Sequence, residues 1–300
     1  MSDYLIALEG TTGGHRLALG LALMAAFLHA VFGAMQKGRY DPLLMRGAID
    51  ASYALMALPF ALFVVPWPEP FMWPIFAIAW AIHVAYKALQ AAAYFKGAYT
   101  VVYPVVRGTG PLVTVFAAGF VFSESFDPLQ WIGLLVLTLG IFGLAAYNLI
   151  FTTEPRRGLW IAIGLAFLTG IFVAAYTTYD AYGIRATADS FTFLAWFFLI
   201  DGLTFPLVAA YRYRRLVAPP PFWPLMQRGV IGGVIAVASF GSIMLATRLD
   251  KVGEAAVLRE TSTLFAALIG WLFLKETVGP KRALLMGLIA AGAVMVEFGG

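Results

Sequence analysis

The residues most able to do chemistry in this chain are ionisable and polar side chains set inside long apolar stretches. Trp80, His83, Lys87, Gln90 and Tyr94 follow one another at intervals of three, four, three and four, with only apolar or aromatic residues between them. On an α-helix that spacing puts all five on one face. A second stripe, Tyr99, Tyr103, Arg107, Gly110 and Thr114, runs along the next segment. An ionisable group near a bilayer centre costs about 2.5–3.5 kcal/mol on insertion scales, so it turns to the interior and takes a partner. Neither Lys87 nor Arg107 has an acidic residue three or four positions away. Their counter-charge must come from another helix or from a bound solute. Two such stripes on consecutive helices fit the lining of one wet cavity.

The second half of the chain carries its own set. Asp201 follows Trp196-Phe197-Phe198-Leu199-Ile200 in the middle of an apolar run. It suits proton coupling, recognition of a substrate cation, or a fixed salt bridge to an arginine. Arg259 and Glu260 are adjacent, and sequence neighbours on a helix do not face each other, so they should meet different partners. Arg46 and Asp50 are four apart and can neutralise each other, while Glu254 reads as a favourable charge near a helix start. His83 suits either hydrogen-bonded packing or a proton relay. Aromatics such as Trp80, Tyr103 and Trp196 could stack on a ring or cradle a cation. Gly108, Gly110 and Pro111 mark an interruption beside Arg107, useful for binding or as a hinge.

These residues need elements that can hold them. Apolar residues make up 61% of the chain and charged ones 12%, with mean hydropathy +0.84; a soluble domain carries about a quarter charged residues. A net charge of +4 without a long Lys/Arg run argues against nucleic acid as a partner. With no Cys, disulfides and thiolate chemistry are excluded. His15, His29 and His83 share no ligand spacing, and GxSxG, HExxH and phosphate-loop motifs are absent. No metal, cofactor or enzymatic role is therefore expected. Asp3 and Glu9 near the start argue against a removable signal peptide.

Segments of about 20 apolar residues, the length that spans a bilayer, fall at 16–36, 43–65, 71–95, 98–122, 128–150, 158–183, 189–211, 223–247, 252–274 and 280–298. The expected fold is an all-α integral membrane protein of ten helices. Displacing the chain by 152 residues brings Arg107 onto Arg259, Glu124 onto Glu276 and Pro128 onto Pro280, and 151 brings Asp50 onto Asp201. This reads as a duplicated five-helix unit, 1–151 and 152–300, whose odd helix number inverts the second copy around a central polar cavity. Connections on one side hold Arg16, Arg185, Arg248 and Lys251. The other side holds Lys37, Arg39, Lys96, Arg156, Arg157, Arg212, Arg214, Arg215, Arg228, Lys275, Lys281 and Arg282. The bias places that second side in the cytoplasm and the termini outside.

The pattern resembles the drug/metabolite transporter superfamily, specifically its ten-helix EamA-type members. The resemblance rests on Pro111-Leu112-Val113 leading to Phe122-Ser123-Glu124 and then Pro128-Leu129-Gln130-Trp131-Ile132-Gly133. It rests further on Leu274-Lys275-Glu276 with Pro280 and Gly287, on Arg46, and on Ala91-Ala92-Ala93-Tyr94. Thr263 stands where the second copy usually has proline, and Arg107 and Arg259 where the family is usually apolar. The resemblance implies secondary transport by alternating access, usually export; beside it an inner-membrane location, a coupling proton and a monomer or homodimer are expected. The expected solute is a small polar or zwitterionic, amino-acid-like metabolite. Arg107, Arg259 and Lys87 would meet its anionic group, and Asp201 or Glu260 its cationic group. An organic anion or sugar phosphate is the alternative cargo. A lipid flippase or a non-transporting membrane protein is the alternative class, and a flippase would expose the Trp80-to-Tyr94 face to lipid.

Overall fold

Large apolar side chains cover the outside of this chain and charges fill its middle, the reverse of a water-soluble protein. Phe63, Phe120, Trp160, Leu207 and Trp223 are exposed, while Asp50, Lys87, Arg107, Asp180, Asp201, Arg259 and Glu260 are buried. Without lipid that surface would be an aggregation liability; in a bilayer it matches its solvent. The computed structural model describes residues 2–35, 40–97, 99–150, 158–274 and 279–300, and these form helices and connections only. Lys37, Arg39, Arg156, Arg157, Lys275 and Glu276 lie outside the described residues, as does the Glu276 member of the repeat match.

A short α1 (Ser2–Leu8), unforeseen in the sequence, precedes α2 (Thr12–Met35), α3 (Pro42–Phe63), α4 (Met72–Lys96), α5 (Tyr99–Phe122) and α6 (Pro128–Ile150). The second half holds α7 (Leu159–Ala186), α8 (Ser190–Asp201), α9 (Thr204–Arg215), α10 (Phe222–Leu249), α11 (Val252–Arg259), α12 (Ser262–Leu274) and α13 (Pro280–Phe298). Among the described residues, seven stretches are long and apolar enough to cross a membrane: 12–33, 72–96, 101–122, 128–150, 159–186, 190–215 and 222–249. The chain is thus a multi-pass, all-helical membrane protein.

Two expected helices are broken and one expected interruption is not. The run 189–211 divides at Gly202-Leu203, where the Leu203 N–H turns back to the Ile200 carbonyl; Pro206 then occupies the first turn of α9, where its missing N–H does no harm. The run 252–274 divides at Glu260-Thr261. There the hydroxyls of Thr261 and Thr263 donate to the Leu258 and Glu260 carbonyls at 2.7 and 2.9 Å, the competition with helix bonding that short hydroxyl side chains provide. By contrast α5 runs unbroken through Gly108-Thr109-Gly110-Pro111. The correction has a physical reason: a proline removes one helix bond but leaves the neighbouring turns intact, whereas three consecutive hydroxyl residues supply alternative partners.

Small residues let helices approach where the core needs it. A Cβ on Gly133 of α6 would stand 2.8 Å from the Gly292 carbonyl of α13, and one on Gly292 2.6 Å from the Gly133 carbonyl. Only glycine permits that crossing. Gly202 serves the centre in the same way, since a Cβ there would lie 2.7 Å from the Asp50 carbonyl. Its absence lets the α8–α9 break press against α3 and brings Asp201 beside Asp50.

At the end of the molecule that carries the N-terminus, α7 and α10 cover each other's final carbonyls. Arg185 donates to the Thr247 and Asp250 carbonyls at 2.8 and 2.7 Å. Arg248 in turn donates to the Ile184 and Thr187 carbonyls and pairs with Glu9. Beside this clasp, Glu124 accepts the Val252 and Gly253 N–H groups at 2.8 and 3.1 Å, acting as an N-terminal cap for α11 supplied from another segment. Glu124→Ala is expected to cost about 1–2 kcal/mol of stability, the usual value of such a cap, measured by thermal unfolding in detergent.

Candidate functional site

The centre is built on α4. Its four-residue stripe His83, Lys87, Gln90 and Tyr94 lines a cavity of ≈ 520 Å3, whose other walls come from α2, α3, α5, α8–α9 and α10. The cavity reaches Tyr40, Pro42 and Leu43 at the entrance of α3, the end opposite the α7–α10 clasp. Its volume falls in the range of small-molecule sites, about 300–1,000 Å3.

Lys87 organises the charges. Its Nζ lies 2.9 Å from Asp50 Oδ2 and 2.8 Å from Asp201 Oδ2, and it also donates to the Tyr53 hydroxyl at 3.1 Å. Tyr53 donates to Asp201 at 2.5 Å. Arg46 Nε sits 2.8 Å from Asp50 Oδ1, closing the pair expected within one helix. The counter-charge of Lys87 therefore comes from two other helices, and the partner of Asp201 is a lysine. His83 Nε2 donates to Asp180 at 2.9 Å, with Nδ1 3.8 Å from Asp201; the rings of Tyr176 and Phe197 pack against its imidazole with centroids 4.7 and 5.1 Å away.

The α11–α12 break supports a second group. Arg107 pairs with Glu260 at 2.8 Å and donates to the Arg259 carbonyl at 3.0 Å and to Ser262 Oγ at 2.9 Å. One arginine thus satisfies a carbonyl that the break sets free and neutralises the carboxylate beside it. Arg259 turns elsewhere, as adjacency required. Its guanidinium lies over the Phe240 ring at 4.7 Å, and its Nε has no hydrogen-bond partner among the described residues.

Several sequence-chosen residues are brought together and others are not. His83, Lys87, Gln90, Tyr94, Tyr103 and Asp201 line the large cavity. Arg107 and Glu260 form their own pair behind it, and Arg259 lines a smaller gap beside Asp180. Trp80, one turn from His83, is exposed and donates to Thr204 at 2.8 Å instead of lining the cavity. Trp196 packs with Trp67 and Trp73 at 5.0 and 5.3 Å, away from the cavity. Gly108, Gly110 and Pro111 lie inside continuous α5. Sequence reasoning passed over Tyr53 and Phe240 and gave Asp180 no role. Tyr53 was within reach, because Arg46, Asp50 and Tyr53 repeat the four–three spacing that singled out α4; Phe240 had no distinguishing signal.

The fold and site define a multi-pass helical membrane protein with a charged interior cavity. Residues 160–298 match the EamA-like transporter family, part of the drug/metabolite transporter superfamily. The resemblance read from the sequence is therefore shown on the second half of the chain, and it points to a membrane transporter of that type. A solved structure described only as "Crystal structure of protein" shares the fold, with a TM-score of 0.77 at 15% identity over 94% of this chain and 99% of that one. No curated protein matches the sequence.

Proposed function

We propose that the protein is a secondary transporter that carries a small polar or zwitterionic metabolite through the central cavity by alternating access. The observation that carries this reading is the ≈ 520 Å3 cavity enclosed by helices with apolar outer faces and lined by Lys87 and Asp201, with Asp50 paired to Lys87 behind them. Such charges are costly to keep inside a membrane, and those that are kept commonly mark a substrate or ion path. In this reading the chain makes ten crossings, with α8–α9 and α11–α12 each a single broken one. The stretches 42–63, 252–274 and 280–298 complete the seven apolar ones. Halves 1–151 and 152–300 are inverted copies, the termini lie outside the inner membrane, and the direction is export. Gly108, Gly110 and Pro111 supply the flexibility of α5.

The balance of charges favours a zwitterion over a purely anionic cargo: Arg46, Lys87 and Arg107 are already matched by Asp50, Asp201 and Glu260. Burial of His83 and Lys87 supports an enclosed solute path over a lipid groove. The test is solute counterflow in proteoliposomes with a panel of amino acids and organic acids. Asp201→Asn, correctly inserted, is expected to slow uptake by about 10-fold or more, since a charge-assisted hydrogen bond contributes about 1.5–3 kcal/mol. Uptake by Asp201→Asn at the wild-type rate removes Asp201 from the path, and absence of counterflow with every solute overturns the transporter reading.

A further inference from the structure

Arg46, Lys87, Arg107 and Arg259 supply four positive charges at the centre, and Asp50, Asp180, Asp201 and Glu260 four negative ones. Three cations and three carboxylates are joined by the contacts at 2.8–2.9 Å. That leaves Arg259 and Asp180, both buried. Arg259 makes no ion pair among the described residues, and Asp180 uses one oxygen for His83 while Oδ1 has no hydrogen-bond partner. The two face one small gap of ≈ 10 Å3, shared with Thr177 and Thr247 and bounded by Phe240. That is room for about one water. Phe240 also lines the large cavity, so its ring is the partition between the two spaces.

Buried charges are normally closed into pairs, because a half-satisfied one keeps the cost of leaving water and gains little in return. Here one pair out of four is left open across a gap, next to a solute-sized cavity. A ligand that carries one positive and one negative charge would complete both halves and leave the centre neutral. A lone anion would leave Asp180 open, and a lone cation would leave Arg259 open. Resting on the transport reading, we propose that Arg259 and Asp180 form the head-group subsite of the transporter. Arg259 takes the carboxylate and Asp180 the ammonium of a zwitterion bearing both groups on one carbon, and the site is reached when the Phe240 ring swings aside. The rest of the solute then lies among the aromatic walls of the large cavity. The repeat-related arginines thus have different duties: Arg107 holds the helix break, and Arg259 waits for the ligand.

The test uses the full-length protein in detergent and thermal unfolding with each of the twenty common amino acids. For the amino acid with the largest effect, the amine lacking its carboxylate and the acid lacking its amino group follow. At least one amino acid is expected to raise the melting temperature by about 2 °C or more, and neither truncated analogue should do so. Arg259→Met should melt at or above the wild-type temperature, because an unpaired buried charge has been removed, yet lose the response to the amino acid. Asp180→Asn keeps an acceptor for His83 and should lose the response too. The subsite is overturned if no amino acid shifts the wild type, if either analogue matches the amino acid, or if either variant still responds. It is also overturned if Arg259→Met melts well below wild type, which would make Arg259 structural. Counterflow separates this from the broader reading: uptake that Arg259→Met leaves intact removes the subsite and keeps transport, while wild-type vesicles that move nothing remove transport itself.

Discussion

Lys87→Met is expected to lower the stability of the purified protein by about 3–5 kcal/mol, the range found when one member of a buried ion pair is removed. The size follows from what the lysine leaves behind. Asp50 and Asp201 are both buried, and Lys87 Nζ lies within 2.9 Å of each. Asp50 would retain Arg46, but Asp201 would keep only the Tyr53 hydroxyl and a more distant His83. Adding Asp201→Asn to Lys87→Met removes the stranded charge and leaves the Arg46–Asp50 pair closed, so the double variant should recover part of the loss. That non-additivity is the signature of a shared network. Chemical denaturation in mixed micelles reads both effects. A single-variant loss below about 1 kcal/mol, the value of an exposed pair, would mean that the network is not formed.

Arg107→Met is expected to cost a similar amount, about 3–5 kcal/mol, for a different reason. The substitution leaves Glu260 without its ion pair and uncovers the Arg259 carbonyl at the α11–α12 break, with Ser262 also losing a donor. Arg107→Lys restores the charge without the geometry of the guanidinium fork, so it should fall between wild type and Arg107→Met. Equal stability of Arg107→Lys and wild type would show that charge alone matters and that the break needs no cover.

The sequence read most clearly where one helix face decided the outcome. Four members of the stripe beginning at Trp80 line one cavity, because helical spacing is a local property that the chain carries in its own order. The need of Lys87 for a partner on another helix was equally legible, since its own helix offered none. Which helix supplies it was not. The pairing with Asp50 and Asp201 depends on how α3 and α8 slide against α4, and that register is fixed by close approaches such as Gly202 on the Asp50 backbone. The breaks were hidden for another reason. Hydropathy stays high across Gly202-Leu203 and the Thr261-Ser262-Thr263 run is short, so an average over 20 residues passes over both. Proline at 111 drew attention to α5 instead, although a single missing N–H leaves most of a helix in place. Trp80 misled for a simpler reason, lying one turn beyond the cavity on the same face.

The exchange of arginines between α7 and α10 has a consequence for timing. Arg185 covers the last carbonyls of α10 while Arg248 covers those of α7, so neither helix end can withdraw without exposing the other. Any opening of that end has to release both together, which makes it behave as a switch with one threshold rather than as a hinge that yields by degrees. The dwell time of the closed form then depends on a single lumped barrier.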